Sequence, residues 1–153
     1  MESTTFGETL RARRVRAGLT QRELSVRARI PQPNISAYEL GRREPNPETT
    51  ARLNRALSAP SLSQVRGARV ALLEAAARRG LGDIRVFGSV ARNEADADSD
   101  VDLLVHPSAN TSLFDLAGFM VEAEAVLGTS VDVVSDRGQS KVLDRILAEA
   151  VPL

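Results

Sequence analysis

Val86-Phe87-Gly88-Ser89-Val90-Ala91-Arg92-Asn93-Glu94, and shortly after it Ser99-Asp100-Val101-Asp102-Leu103-Leu104-Val105, is the stretch on which the reading of this chain turns. Asp100 and Asp102 stand two apart where an apolar run begins. The period of a strand puts both carboxylates on one face and Val101, Leu103 and Val105 on the other. Such a like-charged pair is costly unless protons or cations neutralise it. Hard divalent cations with oxygen ligands do this well, Mg²⁺ first among them. Asp132 lies between Val131 and Val133 in the next apolar run, so it should share a face with Val134 and close the site from a neighbouring strand. Three carboxylates on adjacent strands suit a pair of metal ions roughly 3.5–4 Å apart, the spacing used in phosphoryl or nucleotidyl transfer. Gly88-Ser89 falls where a strand gives way to a helix. Bare backbone there can approach phosphates, and helix N-terminal amides favour anions. Arg92, one turn on, could meet a triphosphate oxygen. The Gly-Lys-Ser/Thr of a Walker A loop is absent.

Around this stretch the pattern reads Ile84–Phe87 and Val101–Val105 as strands, Leu113–Leu127 as an amphipathic helix, Val131–Val134 as a strand and Val142–Ala150 as a last helix. Upstream, Ser61-x-x-Gln64 opens a helix that ends at Gly80, with Gly67 as a weak point inside it. Asp96 and Asp98 read as solvated loop acids, and His106, the only histidine, as a structural residue at a strand end.

The first part of the chain is different. Phe6–Val15 is a helix stopped before Gly18. Thr20-Gln21-Arg22-Glu23 is a capping box flanked by Leu19 and Leu24. A second helix runs to Ala28, and the turn Arg29-Ile30-Pro31 leads to a third over Gln32–Leu40, stopped by Gly41. Asn46 caps a fourth, with Pro47 at its first position, running to about Leu57. Ser58-Ala59-Pro60-Ser61 reads as a linker, giving domains at 1–60 and 61–153. The expected fold is an all-α helix-turn-helix domain followed by a small α/β (α+β) domain with a mixed sheet.

Charge divides at the same place. The 153 residues have a formal net charge of zero. Residues 1–60 carry 11 Arg and no Lys against 6 Glu, a net of +5, and residues 61–153 a net of −5. A basic half suits phosphates and an acidic half divalent cations. There is no Cys, so disulfides and thiolate metal sites are excluded. No apolar run is long enough to span a membrane, and Met1-Glu2-Ser3-Thr4-Thr5 lacks the pattern of a signal peptide. The expectation is a cytoplasmic protein with no membrane partner.

Two helices joined by a short turn are a helix-turn-helix arrangement. Ile35 and Tyr38 are spaced to face the core of the third helix, which turns Gln32, Pro33, Ser36 and Ala37 outward, at the end that enters a major groove. Gln32 suits adenine and Ala37 a thymine methyl. Gln21 is placed to contact DNA backbone or to buttress Gln32, and Arg42 and Arg43 to meet phosphates, which positions without specifying. Arg27 and Arg29 read as solvated helix-face charges. A helical protein-interaction domain is the alternative reading of this half.

Leu10-x-x-x-Arg14-x-x-x-Gly18-Leu19-Thr20-Gln21-x-Glu23-Leu24, with Ile35-Ser36-x-x-Glu39-x-Gly41-x-Arg43-x-Pro45, resembles the phage-repressor-like (XRE) helix-turn-helix family over about residues 6–57. The resemblance implies a DNA-binding module that works as a dimer on a two-fold operator. Pro33 departs from a hydrogen-bonding reader. Gly-Ser-x-Ala-Arg-x-Glu-Ala followed by Ser-Asp-x-Asp-Leu-Leu-Val, together with the closing Glu149-Ala150-Val151-Pro152-Leu153, resembles the minimal nucleotidyltransferase (MNT) group of the DNA polymerase beta-like superfamily over about residues 66–153. That resemblance implies metal-holding and catalytic roles for Asp100, Asp102 and Asp132, nucleotide-phosphate binding by Gly88 and Ser89, two Mg²⁺ ions, and ATP as donor. Asn93 stands where Gly is common, and Asn tolerates positive φ. MNT proteins resemble the antitoxin half of HEPN–MNT toxin–antitoxin pairs. This implies AMP transfer to a hydroxyl of a HEPN-type toxin, with the chain as a homodimer or a hetero-oligomer with the toxin, repressing its own operon. The alternative is a DNA-binding regulator that neutralises its partner by contact, its transferase site silent. A small-molecule transferase fits poorly, because little chain remains to bury an acceptor.

Overall fold

The computed structural model describes residues 3–153. Met1 and Glu2, part of the stretch read above for a leader, lie outside them. The backbone forms two compact units, one of residues up to 59 together with 96–98, the other of residues 60–95 and 99–153.

The first unit holds four helices, α1 (Phe6–Arg16), α2 (Gln21–Ala28), α3 (Gln32–Glu39) and α4 (Pro47–Ser58). Each start is fixed locally. Thr5 and Thr20 form reciprocal capping boxes with Glu8 and Glu23, and the Asn46 side chain accepts the Thr49 amide ahead of Pro47. Between α2 and α3, Arg29 takes a left-handed conformation (φ 55°) that lets the Ile30 amide donate to the Ser25 carbonyl at 3.1 Å. The turn therefore closes without a glycine. Leu10, Leu19, Leu24, Ile30, Ile35, Tyr38 and Leu53 form the core. Arg27 is partly buried rather than solvated, and desolvation lowers its pKa. Packing of α1 on α3 requires Gly7. A Cβ there would fall well inside contact with the Tyr38 carbonyl and 2.7 Å from that of Glu39.

In the second unit, α5 (Leu62–Gly67) and α6 (Arg69–Ala77) replace the single helix expected from Ser61 to Gly80. The break falls at Ala68, directly after Gly67, whose backbone freedom makes continuation costly. Next come β1 (Leu81–Phe87), the single turn α7 (Gly88–Ala91), β2 (Val101–Pro107), α8 (Leu113–Leu127), β3 (Val131–Ser135), α9 (Lys141–Glu149) and β4 (Val151–Pro152). The sheet order is β3-β2-β1-β4. β2 and β3 run parallel, while both pairings of β1 are antiparallel, so the sheet is mixed as expected. β4 had no counterpart in the sequence reading.

Period-two alternation sorts the sheet into two faces. Val86, Val101, Leu103, Val105 and Val131 pack with Leu72 and Ala76 of α6 and with Phe119, Ala123 and Leu127 of α8. On the other face Phe87 and Leu104 pack beneath Leu143 of α9, with Val134 and Ile146 at the margin. α8 is less amphipathic than expected, since Leu113, Phe114 and Val121 on its outer side are exposed.

Gly7→Ala tests the α1–α3 packing, because two effects oppose each other. Ala gains at most about 1 kcal/mol of helix propensity, while overpacking against fixed carbonyls costs about 1–3 kcal/mol. The net expectation is a loss of up to about 2 kcal/mol, read as a lower urea midpoint of the helical unit; a raised midpoint would refute the packing argument.

Candidate functional site

Asp102 is the centre of the site. It lies in β2 opposite Asp132 of the parallel β3 and opposite Phe87 at the end of β1. Directly opposed residues share a face, so the two carboxylates stand on the face of Leu104 and Val134, the α9 side of the sheet. Asp100 directly precedes β2 and is exposed, as is Asp132; Asp102 is half-buried. Burial, then the charges of Asp132, Asp100 and Glu149, push the Asp102 carboxyl up to about 6, with Arg92 opposing. All-oxygen donors held in mutual repulsion are the chemistry that fits a hard divalent cation. Among the described residues, however, no three His, Asp or Glu side chains are gathered as a ready ligand set. Both outer carboxylates are exposed to solvent.

Gly88 follows β1 with φ +72°, and a Cβ at this position would overlap the Asp102 carboxylate. The site therefore needs glycine twice, for its backbone conformation and for the close approach of the acid. Ser89 sits in α7, partly buried. The turn after α7 closes through Asn93 at φ 60°, so the asparagine does adopt the conformation for which glycine is common. The Glu94 amide then donates to the Ser89 carbonyl at 2.8 Å.

Sequence reasoning missed Glu149. At the end of α9, its Oε1 accepts the Gly88 amide at 3.0 Å and its Oε2 accepts Arg92 Nη1 at 2.8 Å. Arg92 Nε donates to Glu94 at 2.9 Å. The Gly88 amide, then burial in the opposite sense, then Arg92 shift the Glu149 carboxyl, with a net lowering. The only hint in the sequence was Glu149 in the closing segment. His106, near the end of β2, has Nδ1 2.9 Å from Asp136 Oδ1. Asp96 and Asp98 are exposed loop acids.

In the helical unit Gln32 and Pro33 are exposed, whereas Ser36 and Ala37 are partly buried. Arg42 and Arg43 are exposed just past α3, and Arg43 reaches Asn34 Oδ1 at 3.4 Å. Gln21 does buttress Gln32, accepting from its Nε2 at 2.9 Å. Gln21 in turn donates to Glu39 at 2.9 Å, and Glu39 pairs with Arg14 at 2.5 Å in a contact almost closed to solvent. Burial alone would raise the Glu39 carboxyl; the hydrogen bonds from Arg14 and Gln21 outweigh it and lower the pKa. Arg14 and Glu39 had entered the reading only as matched positions.

The Asp102 shift gives a test. The carboxyl titrates near 3.8 when free and about 6 when folded. The folded state holds the proton more tightly, so stability is fullest below pH 3.8 and is lost as pH rises through 6. Each unit is worth about 1.4 kcal/mol, and partial exposure reduces the whole to about 1–2 kcal/mol. In EDTA, Asp102→Asn should be more stable than wild type by that amount at neutral pH and lose the advantage in acid. An equal offset at both pH values would refute it.

A nucleotidyltransferase-domain profile matches residues 70–150, and a helix-turn-helix-domain profile matches residues 5–68. A Methanocaldococcus jannaschii protein named as a candidate protein adenylyltransferase is 44% identical over 75 residues, covering 48% of this chain and 81% of that protein. The protein adenylyltransferase MntA of Thermococcus cleftensis is 40% identical over 75 residues, 48% of this chain and 76% of that one. A solved structure of a candidate minimal nucleotidyltransferase superposes with a TM-score of 0.55 at 45% identity, over 61% of this chain and 96% of that chain. With Asp102 and Asp132 in register beside a glycine that admits no side chain, the chain belongs to the nucleotidyltransferase family, carried behind a helix-turn-helix domain.

Proposed function

We propose that this protein transfers a nucleoside monophosphate, AMP from ATP, to a hydroxyl of a partner protein, a toxin of the HEPN type, and that its helix-turn-helix half binds operator DNA to regulate its own expression. The observation that carries the transfer reading is the in-register Asp102–Asp132 pair, with the Asp102 carboxylate lying against the bare backbone of Gly88. The protein-adenylyltransferase names of the two relatives support a protein acceptor. Under this reading the division near residue 60 separates DNA reading from chemistry.

Gly88, Ser89 and Arg92 hold the triphosphate. The partner's hydroxyl oxygen forms a bond to the α-phosphorus, the bond from that phosphorus to the bridging oxygen breaks, and pyrophosphate departs. Asp132, exposed on β3, accepts the hydroxyl proton. Asp100, Asp102 and Asp132 would hold Mg²⁺, which supplies neutralising charge for the acids and the triphosphate. Gln32, Pro33, Ser36 and Ala37 face the bases, Gln21 holds Gln32, and Arg42 and Arg43 contact phosphate. The paired α2–α3 geometry and the exposed arginines support this.

Contact-only neutralisation with a silent site is the second reading. It is favoured by the absence, among the described residues, of a gathered ligand set. Labelled ATP with Mg²⁺ and the product of the adjacent gene separates the two. Label should pass to that protein from wild type and fall to background with Asp102→Asn. No transfer by a wild type that binds the partner would leave only the contact reading. On operator DNA, log affinity should fall linearly with log salt, and Arg43→Ala should lower that slope by about one. An unchanged slope would remove Arg43 from the interface.

A further inference from the structure

Gly88 N–H and the Arg92 guanidinium are the donors assigned above to nucleotide phosphate, and a carboxylate from the chain itself already spans them. The two oxygens of Glu149 accept from Gly88 N at 3.0 Å and from Arg92 Nη1 at 2.8 Å. One anion bridging a backbone amide and a guanidinium is the pattern that two oxygens of a phosphate would present. The other edge of Arg92 is taken by Glu94. The cation meant for a polyanion is therefore neutralised twice from within, in electrostatic reach of Asp102.

We infer that Glu149 is an internal anion latch: it occupies the phosphate position and must swing out before a nucleotide can engage Gly88 and Arg92. This rests on the nucleotidyl-transfer reading and adds regulation to that site. The required motion is small. The backbone after Glu149 is held, because Val151 pairs with Val86 and the Leu153 amide donates to the Ile84 carbonyl at 3.3 Å. The backbone of Gly88 is held too, because it joins β1 to α7 and its carbonyl accepts the Arg92 amide at 3.1 Å. What can move is the Glu149 side chain, which is about one-third exposed and has solvent to enter. The latch keeps the phosphate donors satisfied and aligned while no nucleotide is bound, and it sets the occupancy of the site by competition. Carboxylate and phosphate cannot share one amide, so nucleotide affinity is the intrinsic affinity reduced by the fraction of molecules with the latch open.

The experiment is equilibrium binding of ATP in Mg²⁺, and of pyrophosphate, to the full chain as wild type, Glu149→Gln and Glu149→Ala, with folding checked by circular dichroism. Glu149→Gln keeps an acceptor for Gly88 and removes the charge. The latch requires both variants to bind ATP and pyrophosphate several-fold more tightly than wild type. Equal or weaker binding by folded variants overturns it and makes Glu149 a positioning residue, with the transfer reading intact. If folded wild type and folded variants alike bind no nucleotide, the transfer reading falls and the latch with it. Should the variants fail to fold, wild type is titrated with pyrophosphate by NMR. The Gly88 amide and the Glu149 side-chain carboxyl resonances must then move together along one binding curve. A Gly88 shift with an unmoved Glu149 carboxyl overturns the latch.

Discussion

Alternation along β2 is the constraint on which the second unit depends. Val101, Leu103 and Val105 go to one face and are wholly buried, which forces Asp102 to the other. That face is apolar where α9 covers it, at Leu104 and Leu143, and Asp102 lies on it toward the end where β2 begins. The strand is thereby a partition, core on one side and chemistry at one edge of the other. β3 repeats the partition in parallel register, so Asp132 arrives beside Asp102 without any contact that must be specified separately. A slip of one residue would bury Asp132 and expose Val131 and Val133, a large cost that fixes the register. The acids sit together because the valines cannot be anywhere else.

The helical unit solves a different problem by similar means. Arg14 and Glu39 form an ion pair nearly closed to solvent. Such a pair is weak evidence for stability, yet Glu39 Oε2, which accepts from Arg14 Nη2, also accepts from Gln21 and orients it, and Gln21 orients Gln32. A buried charge thus ends as a direction imposed on an exposed amide. Less rotamer freedom is then left to lose when that amide meets a base.

What was legible in the sequence follows from this. Both acid positions, the strand-to-helix turn at Gly88 and the caps at Thr20 and Asn46 are local or period-two features, and local rules find them. The positive φ of Asn93 could be anticipated because it stands where the resembled family commonly has Gly and Asn tolerates that conformation. Glu149 could not be found this way. It lies 61 positions from Gly88, and helical periodicity over α9 does not say which residue of the last turn meets β1. β4 is too short to show alternation, and its pairing is dictated by β1. The break between α5 and α6 was signalled by Gly67 as a cost, but whether a helix bends or stops there is decided by packing. The exposed Leu113 and Phe114 run against the amphipathic expectation for α8, because an apolar helix does not reveal which of its sides the sheet will take.

The close fit of Gly88 against Asp102 also bears on how such sequences drift. At Gly88 an added methyl is opposed both by the backbone angle and by the neighbouring carboxylate. Shortening Asp102 would lift the second obstacle and leave the first. A lineage that abandons the chemistry should therefore lose the acid before the glycine, and the glycine should persist for a time as a relic of the turn. The constraint is thus one-sided: Asp102 limits what can stand at Gly88, while Gly88 does not require the acid.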